Sequence, residues 1–206
     1  MRQFIGMVVI VCAVVLLGRT SGAEELADVV WELVEEVERH PESADAQKRA
    51  GGAYLLLARE VGENPAREVF GAMADFHLDQ AVQLDPDDME ALEWLGETAV
   101  LNMDPSKAAA VFEELVRRQT DPAEGKNLVQ LHTCYQWLTD PWRGVAFYRS
   151  QLERMPDWPQ VKFLMASFLL DMDRAEALDI LLELASSPGT PEGLRATVRA
   201  ALKEEL

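Results

Sequence analysis

From residue 24 onward the apolar residues recur at helical spacing between clusters of proline, glycine and acidic residues, and no stretch shows the strict alternation of a strand. The fold class this predicts is all-α. The first segment, Glu24 to His40, carries Leu26, Val29, Val30, Leu33, Val34 and Val37 on one stripe, with Glu32, Glu35, Glu36 and Glu38 largely off it. Pro41 ends that helix, so residues 24–41 read as an N-terminal amphipathic helix. Ahead of it, Arg2 precedes an apolar run from Phe4 to Leu17. The run is about 14 residues long where a bilayer-spanning helix needs about 20. Ser21 and Ala23 place small side chains at a cleavage site, so residues 1–23 are expected to be a secretory signal peptide cut after Ala23. Arg19, a charge close to the cut, keeps an uncleaved N-terminal anchor as the alternative.

A second, longer period lies over the helical one. Leu92, Leu95, Ala99, Ala108 and Phe112 return 36 residues later as Leu128, Leu131, Tyr135, Gly144 and Tyr148. After 33 more they return as Val161, Leu164, Phe168, Ala177 and Leu181. Upstream, Ala74, Leu78 and Ala81 supply the second half of the same unit, closed by Pro86. Its first half, marked by Gly51 and Tyr54, is displaced by extra residues that include Gly62-Glu63-Asn64-Pro65, which predicts a lengthened helix pair. Pro86, Pro122, Pro156 and Pro188 punctuate the units, because a fixed φ and a missing N–H stop a helix. The expected division is 44–87, 89–122, 125–157 and 158–190, about four units, with residues 191–206 as a C-terminal capping helix.

This spacing resembles the tetratricopeptide repeat, most closely at Leu95-Gly96, Ala108 and Phe112. The sequence departs from the family pattern where Gly96 is replaced by His132 and Met165, and where Leu or Val opens a unit in place of Trp. The resemblance implies a right-handed superhelix of antiparallel helix pairs, an α-solenoid. It also implies that the first helices of the pairs line a concave, partner-binding surface. On the helix of the 89–122 unit, Glu90, Glu93, Glu97 and Leu101 fall within about 60° of one another, opposite Leu92, Leu95, Ala99 and Met103. The same register gives Lys48, Gly52 and Leu56, then Val129, Thr133 and Trp137, then Lys162, Ala166 and Leu170. The expected groove runs from an acidic patch to an apolar strip around Trp137. It suits an extended or helical peptide that carries apolar anchors beside basic residues, and its glutamates disfavour a C-terminal carboxylate ligand.

Charge narrows the partners. The chain has a net charge of −17, and removal of residues 1–23, which hold two arginines and no acid, makes it −19. Neutralising phosphates requires clustered Lys and Arg, so no nucleic-acid partner is expected, and a membrane contact only if the N-terminal segment stays uncleaved. Cys12 lies in the signal segment, which leaves Cys134 without a disulfide partner and reads it as a small buried apolar residue. His40, His77 and His132 sit in three separate units with no ligand-spaced Cys or carboxylate, so no metal and no cofactor are expected. No nucleophile elbow, phosphate loop or paired-cysteine motif occurs. The reading is therefore a non-enzymatic, extracytoplasmic scaffold that recruits a partner protein, of the exported bacterial, periplasmic kind. The alternatives are a membrane-anchored subunit of an envelope complex, an enzyme with an unrecognised site, and self-assembly through the Glu24–His40 helix.

Overall fold

A computed structural model of the chain describes residues 21–121 and 125–205, and every described segment of regular structure is helical. The signal segment expected over residues 1–23 lies, up to residue 20, outside the described residues, as does the Pro122 boundary. The ten described helices are α1 (Ser21–Arg39), α2 (Ala44–Glu60), α3 (Ala66–Leu84), α4 (Met89–Leu101) and α5 (Pro105–Arg118), followed by α6 (Lys126–Leu138), α7 (Pro141–Arg154), α8 (Pro159–Met172), α9 (Arg174–Ser186) and α10 (Glu192–Glu205). Helices α2 and α3 have 17 and 19 residues, against 13 or 14 in each of α4 to α10.

Short polar residues start these helices by satisfying backbone N–H groups that have no intrahelical acceptor. Asp88 Oδ1 accepts from the Glu90 and Ala91 amides at 3.0 Å each, and Ser43 Oγ accepts from Ala46. The second helix of three successive pairs opens on the same device: Asp104 accepts from Lys107, Asp140 from Arg143 and Asp173 from Glu176. These aspartates are separated by 36 and 33 residues, the offsets of the apolar pattern. The turns before two of them repeat as well. Met103 (φ 58°) and Thr139 (φ 50°), again 36 apart, are the non-glycine residues with left-handed backbone among the described residues.

The chain divides into two compact units, Met1–Val111 and Phe112–Leu206. In the first, α1 packs on α2, α2 on α3 and α3 on α4. Its core gathers Val30, Leu33, Tyr54, Leu57, Ala58 and Phe70, with Leu26, Val34 and Val37 of α1 packed against it. The α1 stripe is thus docked within its own chain, apart from Val29, which is 46% exposed. Gly51 lets α2 and α3 approach closely, since a Cβ there would sit 2.6 Å from Leu78 Cγ.

In the second unit α6 packs on α7, α7 on α8, α8 on α9 and α9 on α10. A Cβ on Gly144 would lie 2.6 Å from the Phe168 ring and 3.0 Å from that of Tyr135, so the smallest side chain sits where helices come closest. Ala108 and Ala177, its counterparts in the repeating pattern, are fully buried. At the C-terminal end Val198 and Leu202 of α10 cover Ala166, Leu181 and Leu184. Met103 departs from the helical register that placed it on the buried side: it lies past the end of α4 in the left-handed turn and is 69% exposed.

Candidate functional site

The residues expected to line a groove meet different fates in the two units. In the first, the acidic stripe of α4 faces basic side chains of α2. Lys48 Nζ lies 2.9 Å from Asp88 Oδ2 and 3.1 Å from Glu90 Oε2, and Arg59 Nη2 lies 2.6 Å from Glu97 Oε2. The hydrogen bonds that Lys48 donates to Asp88 and Glu90 hold the pKa of its ammonium above the ordinary value. Glu93 is half-buried. Gly52 is not open, because the Trp94 ring covers it: a Cβ on Gly52 would stand 2.5 Å from Trp94 Cζ3. Leu101 is half-buried and packs against the core, while Leu56 remains 51% exposed. What the sequence suggests is a negative patch is, at Glu90 and Glu97, a ladder of ion pairs between two helices, with its charges answered inside the chain.

In the second unit the open part of the predicted strip is on α6. Val129 and Trp137 are 59% and 45% exposed, two turns apart on one face. Thr133 lies between them and donates its hydroxyl to the Val129 carbonyl at 3.0 Å. The opposite face of α6, with Leu128, Leu131, Cys134 and Tyr135, is buried. On α8 the strip closes. Ala166 is fully buried beneath Leu181, Leu184, Val198 and Leu202, Leu170 packs against the same cluster, and Lys162 Nζ is 2.7 Å from Glu183 Oε1. Placing Ala166 on an open face is therefore corrected: α9 and α10 cover it. Trp142, which opens α7 just beyond the α6–α7 turn, is 65% exposed and was invisible to a register read only along the first helices.

Beneath α6 lies a polar core that sequence reasoning also missed. Glu113 is buried, and its Oε1 accepts from Tyr135 Oη at 2.9 Å and from Arg143 Nε at 3.0 Å, while Oε2 accepts from Arg117 Nη2 at 2.8 Å. This carboxylate ties α5, α6 and α7 together. His132 stacks on Phe168 with ring centroids 4.2 Å apart, and its Nδ1 meets Tyr148 Oη at 3.2 Å. Burial pushes its pKa down to about 4, so the ring is neutral near pH 7. Burial also raises the Cys134 thiol to about 11, which keeps it protonated and a poor nucleophile.

Among the described residues no group of three or more His, Cys, Asp or Glu is placed to hold a metal ion, and no helix is long and apolar enough to cross a membrane. Compared with protein-family models the chain matches none, and a search of curated proteins finds no match either.

Proposed function

We propose that this chain is an exported scaffold of the tetratricopeptide kind, whose helix pairs form a right-handed superhelix and hold a partner protein or peptide on the open face of α6. One observation carries the reading. Val129 and Trp137 are held in the open at 59% and 45% exposure on a helix whose other side is locked into the core. Tryptophan on a rigid, exposed helical face has the size and low conformational freedom of a binding anchor. The partner face this selects is apolar. The α2–α4 ion pairs remove the need for basic groups opposite Glu90 and Glu97. Docking of α1 on α2 supports a helix that serves its own stack, in preference to one reserved for a second copy. Export rests on the character of residues 1–23, with the uncleaved anchor as the second form of the same protein.

The test is capture from the native envelope by the full chain and by Trp137→Ala and Val129→Asp variants, with recovered partners quantified by mass spectrometry. A partner anchored by Trp137 should lose about tenfold or more in apparent affinity in Trp137→Ala. Equal recovery by all three proteins removes the α6 face from the reading. In the same sample, a mature N-terminus at Glu24 supports cleavage, and one at Met1 supports the anchor.

A further inference from the structure

In the first unit an open cleft of about 800 Å³ lies where the turn after α2, the first turns of α3 and the end of α4 meet. That volume is within the range of ligand-binding clefts. Its walls are fixed by the chain itself. Arg67 Nη2 donates to the Leu101 carbonyl at 3.1 Å, and Asn102 Nδ2 donates to the Gly71 carbonyl at 3.0 Å. Gly71 is needed for that second bond, because a Cβ there would collide with Asn102 Oδ1. A cleft held open in this way binds without first ordering its own walls.

The lining has an apolar side and a charged side, on which Glu63, Glu68 and Asp75 outnumber Arg67, whose guanidinium is turned to the Leu101 carbonyl. Ala72 and Met103 are exposed on it, Met103 at 69%. Val69 and Phe76, at 43% and 58% exposure, flank Ala72 along the same face of α3 at spacings of three and four residues, so an apolar track leads out of the cleft. Glu63 and Glu68 line the cleft and are exposed, and among the described residues neither carboxylate has a hydrogen bond or ion pair, whereas Asp75 is engaged by Lys107 Nζ at 2.8 Å. The C-terminal end of α4 lies at the cleft and adds negative potential; the N-terminal end of α3 opposes it, with Glu68 in its first turn.

We propose that this cleft is a second docking site, for a peptide segment of a partner that sets a Lys or Arg side chain against Glu63 and Glu68 and lays apolar side chains along Met103, Ala72 and Phe76. The basic recognition suggested by the acidic sequence thus falls on carboxylates that no side chain among the described residues pairs with, not on Glu90 and Glu97, which Lys48 and Arg59 already neutralise.

A random 12-residue peptide library displayed on phage, selected on the full chain, provides the probe; about 12 residues suffice to span the cleft and the α3 track. Selected peptides are then titrated against wild type, Glu63→Lys/Glu68→Lys, Met103→Gly and Trp137→Ala. The expected peptides join Lys or Arg to Leu, Phe or Met, weaken with rising ionic strength, and lose at least about tenfold in affinity on the charge-reversed and Met103→Gly proteins but not on Trp137→Ala. Met103→Gly is the decisive variant because glycine accepts the left-handed turn more readily than methionine, so its thermal midpoint should hold or rise while binding falls. Absence of enrichment, acidic consensus peptides, or affinities unmoved by both cleft variants overturns the proposal. Peptides lost only on Trp137→Ala do so too, while supporting the α6 face.

Discussion

His77 should make the first unit sensitive to mild acid. Its ring is 5% exposed and stacks on Tyr54 with centroids 5.6 Å apart and planes 4° from parallel. Its Nδ1 lies 2.8 Å from Gln47 Oε1, while Gln47 Nε2 is committed to the Pro41 carbonyl at 3.0 Å. The amide oxygen therefore faces the ring, which carries its hydrogen on Nδ1. Burial lowers the pKa from 6.5 to about 4. Because the folded pKa is the lower one, the unfolded chain binds the proton first as pH falls. Stability is full above about pH 7 and drains away between about pH 6.5 and 4. Over the step from pH 8 to pH 5 that linkage amounts to about 2 kcal/mol, and over the whole window to about 3 kcal/mol. Urea titrations at the two pH values, on wild type and on His77→Gln, isolate it, since the variant keeps every other titrating group. The difference between the two proteins should change by about 2 kcal/mol with pH, and the ring proton of His77 should titrate in NMR near 4. A pH-independent difference, or titration at 6.5, refutes the buried neutral assignment.

Glu113→Ala leaves the Tyr135 hydroxyl without its acceptor and the Arg143 guanidinium without its counter-charge, while Arg117 keeps Glu114 at 3.2 Å. Because Arg117 and Arg143 are 46% and 39% exposed and can rehydrate, the expected loss is about 2 kcal/mol by urea unfolding, at the lower end of the cost of breaking a buried pair. A loss below about 0.5 kcal/mol shows the network to be ornamental. Gly144→Ala gains about 1 kcal/mol of helix propensity but forces a methyl into the Phe168 and Tyr135 rings, costing about 2 kcal/mol or more. Its thermal midpoint should fall, and a rise would mean that α7 and α8 are free to separate.

The helix pairs were legible because burial imposes a period on apolar residues, and small side chains such as Ala108, Gly144 and Ala177 must recur where helices touch. The aspartates at 104, 140 and 173 carried the same period in plain view and were missed because the repeat was sought only among apolar positions. The site was far less legible. A helical wheel gives the direction of Glu90 and Glu97 but not the neighbours that meet them, and those came from 42 and 38 residues away. Ala166 pointed outward from its own helix and was covered by two later ones. Glu113, an acid on an amphipathic helix, reads as a solvent-facing residue until Tyr135 and Arg143, 22 and 30 positions on, close over it.

Cys134 lends the protein a built-in reporter of its own integrity. With 1% of its surface reachable and its proton held tightly, the thiol is sheltered from oxidants for as long as α6 stays seated. In the chain cleaved after Ala23, which has lost Cys12, any species that forms a covalent dimer, or takes up a maleimide without denaturant, has lifted that helix, so the rate of labelling measures how often the second unit breathes.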